Sequence, residues 1–99
     1  MNINQMMKQA QQMQANVKKA QDELEKKEFE HEVQGIKVKV SGSKQVLSVN
    51  IDADLLDEDN KEILEDMLVV ALNDVFAKVD QETEAIMSKA TGNMKIPGL

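Results

Sequence analysis

Residues 63–79, ILEDMLVVALNDVFAKV, are the most apolar run in the chain, and their reading decides the fold. Leu64, Leu68, Ala71, Leu72, Val75 and Val79 recur at steps of three and four, which places them on one face of a helix. Ile63, Met67, Val70 and Phe76 spill beyond that stripe. A helix on the surface of a monomer buries a stripe roughly 100° wide, and here apolar side chains occupy more than half the circumference. The helix must therefore pack on its own sheet along one side and on something further along another. In a chain of 99 residues, a second copy is the simplest candidate. The sequence thus predicts a homodimer with Ile63, Met67, Val70, Ala71 and Phe76 at its interface.

The size fits one small domain spanning residues 1–99. With no Trp or Tyr and only Phe29 and Phe76 as large aromatics, a lone core is thin, and dimerisation adds buried area where the monomer lacks it. The absence of Cys excludes disulfides, thiolate metal sites and cysteine nucleophiles. The start, MNINQMMKQAQQMQ, is too polar for a signal peptide, and no apolar run reaches the roughly 18–20 residues that span a bilayer. A soluble, intracellular (cytoplasmic) protein is expected.

Upstream of the organising helix, residues 2–27 of the arm (1–27) read as one long helix of about 39 Å, capped by Asn2 or Asn4 and free of Gly and Pro. Ile3, Ala10, Val17 and Leu24 recur at seven-residue spacing, as do Met6, Met13 and Ala20. That is a heptad seam, but Ala and Met are poor knobs and Gln flanks them. The seam is expected to dock locally at its inner end and to stand in solvent at its outer end. At Lys27 the period changes to two. Phe29, His31 and Val33 alternate with polar residues; Ile36, Val38 and Val40 follow after Gly35, and Leu47, Val49 and Ile51 after Gly42. Three strands within 28–52 therefore form an antiparallel meander with one apolar face. The Glu run of the first strand opposes Lys37 and Lys39 of the second, a favourable cross-strand pairing. Leu55 and Leu56 are expected to plug the next connection. Asp59 and Glu62 suggest a capping box, so the second long helix should run from near 59 to 90, halted by Thr91-Gly92-Asn93 ahead of a short tail, 91–99.

No catalytic constellation can be assembled. His31 is the only histidine, Gly35 and Gly42 read as turn glycines rather than a phosphate loop, and neither a metal site nor a cofactor is expected. The acid cluster Asp52, Asp54, Asp57, Glu58 and Asp59 lacks the mid-loop Gly and the spacing of an EF-hand and reads as a solvated helix entry. The chain is not expected to be an enzyme.

The net charge of −6 is unevenly spread. Residues 1–27 hold five Lys and three acids, residues 28–51 three of each, and residues 52–90 three Lys against twelve acids. The basic excess therefore lies at the ends, chiefly in the first helix, and it is all Lys.

Several stretches in this order resemble the YbaB/EbfC family of bacterial nucleoid-associated proteins. They are Met6-Met-Lys-Gln-Ala-Gln-Gln-Met-Gln14, Val38-Lys-Val40-Ser-Gly42, Val49-Asn-Ile-Asp52 with Leu55-Leu56, Leu64-Glu-Asp-Met-Leu68 with Ala71 and Asn73-Asp74, and Thr91-Gly92 with Ile96-Pro-Gly98. The resemblance implies an α-β-β-β-α protomer of the α+β class and an intertwined homodimer through the sheet and second helix, with the first helices projecting as tweezer arms. It also implies a non-catalytic partner of double-stranded DNA in the nucleoid, shaping DNA and influencing gene expression. If DNA is bound, the warrant is electrostatic, for there is no aromatic stacking platform. Lys8, Lys18, Lys19, Lys26 and Lys27 lie along the first helix, with Lys8, Lys19 and Lys26 within about 20° of one face. The other reading is a dimeric interaction module whose Met- and Gln-rich first helix docks on another protein, and the overall acidity favours it.

Overall fold

The computed structural model describes residues 2–92. The chain runs as α1 (Ile3–Lys26), β1 (Glu28–Val33), β2 (Ile36–Ser41), β3 (Val46–Ile51), two single 3₁₀ turns (Ala53–Leu55 and Glu58–Asn60) and α2 (Lys61–Ala90). This is the expected α-β-β-β-α order. Residues 93–99, with Lys95 and the Ile96-Pro-Gly98 stretch, lie outside the described residues.

Each element ends for a local reason. The Oδ1 of Asn2 accepts from the Asn4 amide at 3.1 Å and caps α1. Gln34 and Gly35 both take positive φ, 47° and 92°, and close the β1–β2 hairpin as a two-residue turn whose twist suits the strands. The β2–β3 turn is held by the Lys44 amide donating to the Ser41 carbonyl at 2.9 Å, with Lys44 itself left-handed at φ 65°. α2 stops at Thr91, whose amide donates to the Met87 carbonyl at 3.0 Å, and Gly92 follows in the left-handed region at φ 68°. The capping box expected from Asp59 and Glu62 does not form. Instead the Asp57 carboxylate accepts from the Asp59 amide at 3.0 Å and caps the short 3₁₀ turn. Asn60, the residue before α2, turns its amide group back to the Leu55 carbonyl at 3.1 Å.

The sheet is antiparallel in the order β1-β2-β3. Phe29, His31 and Val33 sit opposite Val40, Val38 and Ile36, so their side chains share one face. That face meets α2 and encloses Ile36, Val38, Val40, Ala71, Val75 and Val79 as the core. Leu55 packs against it, whereas Leu56 faces solvent, so only one of the expected plugs is seated.

The third strand departs from a strict alternation. A register shift at Lys39/Val40 pairs Val40 with Val46 and Lys39 with Ser48. Leu47 is thus the extra residue of a β-bulge, and Val46, not Leu47, joins Val49 and Ile51 on the apolar face. One helix is about 10–12 Å wide and strands lie under 5 Å apart, so a single helix covers two strands. α2 lies over β1 and β2, and Val46, Val49 and Ile51 remain 49%, 39% and 38% exposed.

α2 is long enough, about 45 Å, to serve two ends of the molecule. Its length up to about Asp80 roofs the sheet and its last turns, from Glu82, carry the inner end of α1, giving overall extents of 69 × 22 × 13 Å.

Candidate nucleic-acid interface

α1 divides into a seated root and a free arm. Ala20 and Leu24 are buried, Met13 and Val17 are half-buried, and residues 2–12 are exposed throughout. The seam therefore docks at its inner end and stands in solvent at its outer end, as its weak knobs imply. The buried stripe fixes the opposite face of the helix as the solvent face. Lys8, Lys19 and Lys26 fall on it, spread over about 27 Å of axis, with Lys18 to one side.

The lysines differ in whether an acid lies beside them. Lys8, Lys18, Lys19 and Lys26 are exposed, and among the described residues none has an acid within ion-pair distance. Lys27 differs: its ammonium lies 3.1 Å from Oε1 of Glu82 on α2, at the base of the arm. The five sequence-designated lysines thus split into four open cations and one engaged one. Lys89, near the end of α2, also has no acid within ion-pair distance among the described residues, and it lines a groove with Lys19 and Lys27. Sequence reading passed it over because the segment around it is acidic.

The other described lysines of the body are engaged with acids or a carbonyl. Lys37 reaches Glu30 at 3.4 Å, and Lys39 reaches Glu30 at 3.4 Å and Glu28 at 3.6 Å across the β1–β2 pair. Hydrogen bonding and charge from Lys37, then Lys39, hold the Glu30 carboxyl below the usual carboxylate range. The charge of Glu28, with a hydrogen bond to Glu30, raises the Lys39 ammonium above its ordinary value. Lys44 pairs with Asp80 at 2.6 Å and Lys61 with Glu65 at 3.8 Å, while Lys78 donates to the Glu30 carbonyl at 3.1 Å.

The residues expected at the dimer interface are not gathered in one place. Ala71 is fully enclosed in its own protomer's core and has no surface to give a second copy, because it faces the sheet squarely. Ile63, Met67 and Val70 lie along the flank of α2 that overhangs β1, where Asp74 meets His31 at 3.2 Å. Phe76 lies about 120° round the helix from Val70, on the flank towards β3. There the groove between Ile51, Leu56, Leu64 and Leu68 opens. The uncovered face of β3, which contributes no residue to the expected interface set although the resemblance implies a dimer through the sheet, adjoins that second flank.

The acidic residues that lead into α2 are engaged locally. The carboxylates of Asp52 and Asp57 accept from backbone amides two residues on. Among the described residues, no group of three or more His, Cys, Asp or Glu could hold a metal ion, and no helix is long and apolar enough to cross a membrane.

Comparison with known proteins places this geometry. A nucleoid-associated protein of Clostridium novyi is 45% identical over 101 residues, covering all of this chain and 89% of its own length. One from Thermoanaerobacter pseudethanolicus is 41% identical over 99% of this chain and 90% of its own. Another, from Mycoplasmopsis pulmonis, is 40% identical over 98% and 96%. Among solved structures, an uncharacterized protein of Helicobacter pylori shares the fold with a TM-score of 0.73 at 19% identity, over 90% of this chain and 96% of that one. The sequence model of the YbaB/EbfC DNA-binding family, a family of DNA-binding proteins rather than enzymes, matches residues 1–94. An α-β-β-β-α chain with an exposed helical arm, matched over nearly its whole length, belongs to the YbaB/EbfC DNA-binding family.

Proposed function

We propose that the chain acts as a homodimer that grips duplex DNA between its two arms. Phosphate contacts come from Lys8, Lys18, Lys19 and Lys26, with Lys27 in a lesser role. The observation that carries this reading is the division of the lysines. Among the described residues, those of the body, Lys89 apart, are paired with carboxylates or a carbonyl, while four on the arm stand open in solvent. An acidic protein can bind a polyanion when its uncompensated cations are segregated from its acids. Lysine ammoniums are point charges, so the binding is directed at the backbone and weakly selective for sequence. Held in this way in the nucleoid, within the cytoplasm, the DNA would change conformation, and expression of nearby genes would respond.

The dimer reading is supported by the apolar face of β3, left open by α2 and continuous with the Leu72 and Phe76 flank. We assign the interface to that surface first, and to Ile63, Met67 and Val70 second. The two-copy arrangement keeps the acidic body at the base, away from the duplex.

One observation favours a second reading. Ile3, Met6 and Met7 at the arm tip are more than half exposed, and adaptable methionines suit a docking surface for another protein. Fluorescence-anisotropy titration with random duplex DNA at low and moderate salt separates the two. Phosphate binding should weaken with a log–log slope near −0.9 for each phosphate neutralised. A Lys18→Glu/Lys19→Glu/Lys26→Glu/Lys27→Glu variant, folded by circular dichroism, should lose that binding. If the unaltered protein does not bind even at low salt, the DNA reading fails and the docking arm takes its place.

A further inference from the structure

The two interior glycines flanking β2 do different things. Gly35 has the positive φ that its hairpin requires. Gly42 does not, and what singles it out is proximity. A Cβ built on Gly42 would lie 1.8 Å from the backbone carbonyl oxygen of Leu24 and 2.6 Å from its carbonyl carbon. Neither atom can swing aside as a side-chain tip could, because both belong to the last turn of α1. The approach is also bonded. The Gly42 amide donates to the Lys27 carbonyl at 3.0 Å, and the Lys27 amide donates to the Leu24 carbonyl at 3.0 Å. Leu24 is buried beside this contact, and Lys27 is held by Glu82 at 3.1 Å from the α2 side.

These contacts make a joint. The β2–β3 turn presses backbone to backbone on the root of the arm, and α2 supports the root from another side. Only the root is held, so the direction of the whole arm beyond it follows from how closely these surfaces meet.

We infer that Gly42 is a positioning residue for DNA binding: its missing side chain sets the angle at which α1 leaves the body, and so the number of phosphates its lysines reach. The inference rests on the DNA reading above. It separates Gly42 from a residue that merely aids folding, because a change of arm angle and a loss of folded protein leave different marks on a salt titration. Loss of folded protein lowers the active fraction and leaves the slope of log K against log salt unchanged. A displaced arm loses phosphate contacts, and the slope itself falls by about 0.9 for each one lost.

The test is Gly42→Ala in the full chain, with two readouts. Hydrogen exchange should show faster exchange at Lys27 and residue 42, with the core amides of 36–40 and 71–79 still protected. DNA titration over a range of salt should give weaker binding with a shallower slope. Should Gly42→Ala not fold, Leu24→Ala loosens the same joint from the other side, without changing charge and outside the core cluster, and should flatten the slope likewise. Wild-type slope and affinity in a folded Gly42→Ala protein, or in Leu24→Ala with its joint shown open by exchange, would overturn the inference while leaving the DNA reading intact. Absence of salt-sensitive binding in the unaltered protein would instead sink the DNA reading, and the positioning role with it.

Discussion

β2 and β3 are neighbours with nearly the same apolar content and opposite fates. Ile36 faces Ile51, Val38 faces Val49 and Val40 faces Val46 across the ladder. The β2 member of each pair is fully buried, while its β3 partner keeps more than a third of its surface. Nothing in the side chains distinguishes them. The difference is the width of one helix, which roofs β1 and β2 and stops short of the third strand. The same residue type is therefore core in one strand and an unfilled surface in the next. Burial depends on what the fold can place above a residue, and the surplus on β3 is the surface on which the proposed dimer rests.

The largest expected effect comes from trimming one facing pair. Ile36→Ala should destabilise the fold by about 2–5 kcal/mol at any protein concentration, the usual range for hollowing a core. Ile51→Ala should do far less in dilute solution, and its effect should grow with concentration as a second copy covers the site. Denaturant midpoints measured over a wide concentration range check both, and equal effects at every concentration would erase the distinction between the strands.

A smaller effect on folding, but a decisive one on assembly, is expected from charge. Val49→Lys should yield a monomer by sedimentation and remove the concentration dependence of unfolding that a folded dimer has. Val70→Lys, on the opposite flank of α2, should weaken association less. The reverse order would move the interface to the Ile63–Val70 flank.

The smallest effect concerns the outer face of the sheet. There β1 and β2 are joined by Glu30 with Lys37 and Lys39, whereas Ser48 and Asn50 of β3 offer no charge. Glu30 has a lowered folded-state value, so its contribution is present above the ordinary carboxylate value and is lost as pH falls through the lowered one. Lys39 has a raised value, so its contribution is full below the ordinary lysine value and is lost only as pH rises through the raised one. All these groups are exposed, so the changes should be slight. Hydrogen exchange in acid should show them at β1 rather than β3.

Much of this architecture was legible from spacing. The three- and four-residue steps through Leu64, Ala71, Val75 and Val79 placed the core face of α2, and the seven-residue seam foretold an arm docked at one end only. The face shared by Lys8, Lys19 and Lys26 was likewise a matter of counting. What escaped depended on contacts between distant parts or on choices among like residues. Val46 and Leu47 are both apolar, so nothing local told which would bulge. Lys27 meets Glu82 across 55 positions of sequence, which no local pattern reveals. Asp57 and Asp59 are equally good caps, and the short 3₁₀ turn decided between them. Gly42 looked like any turn glycine until the carbonyl of Leu24 was found against it.

The shared support provided by α2 has a mechanical consequence. One helix meets the sheet along most of its length and the arm at its end, in a chain 69 Å long. In the proposed dimer, a rotation of a few degrees between two such bodies would open or close the gap at the tips by several ångströms. The jaw width would then be tuned at the hinge, far from anything it holds.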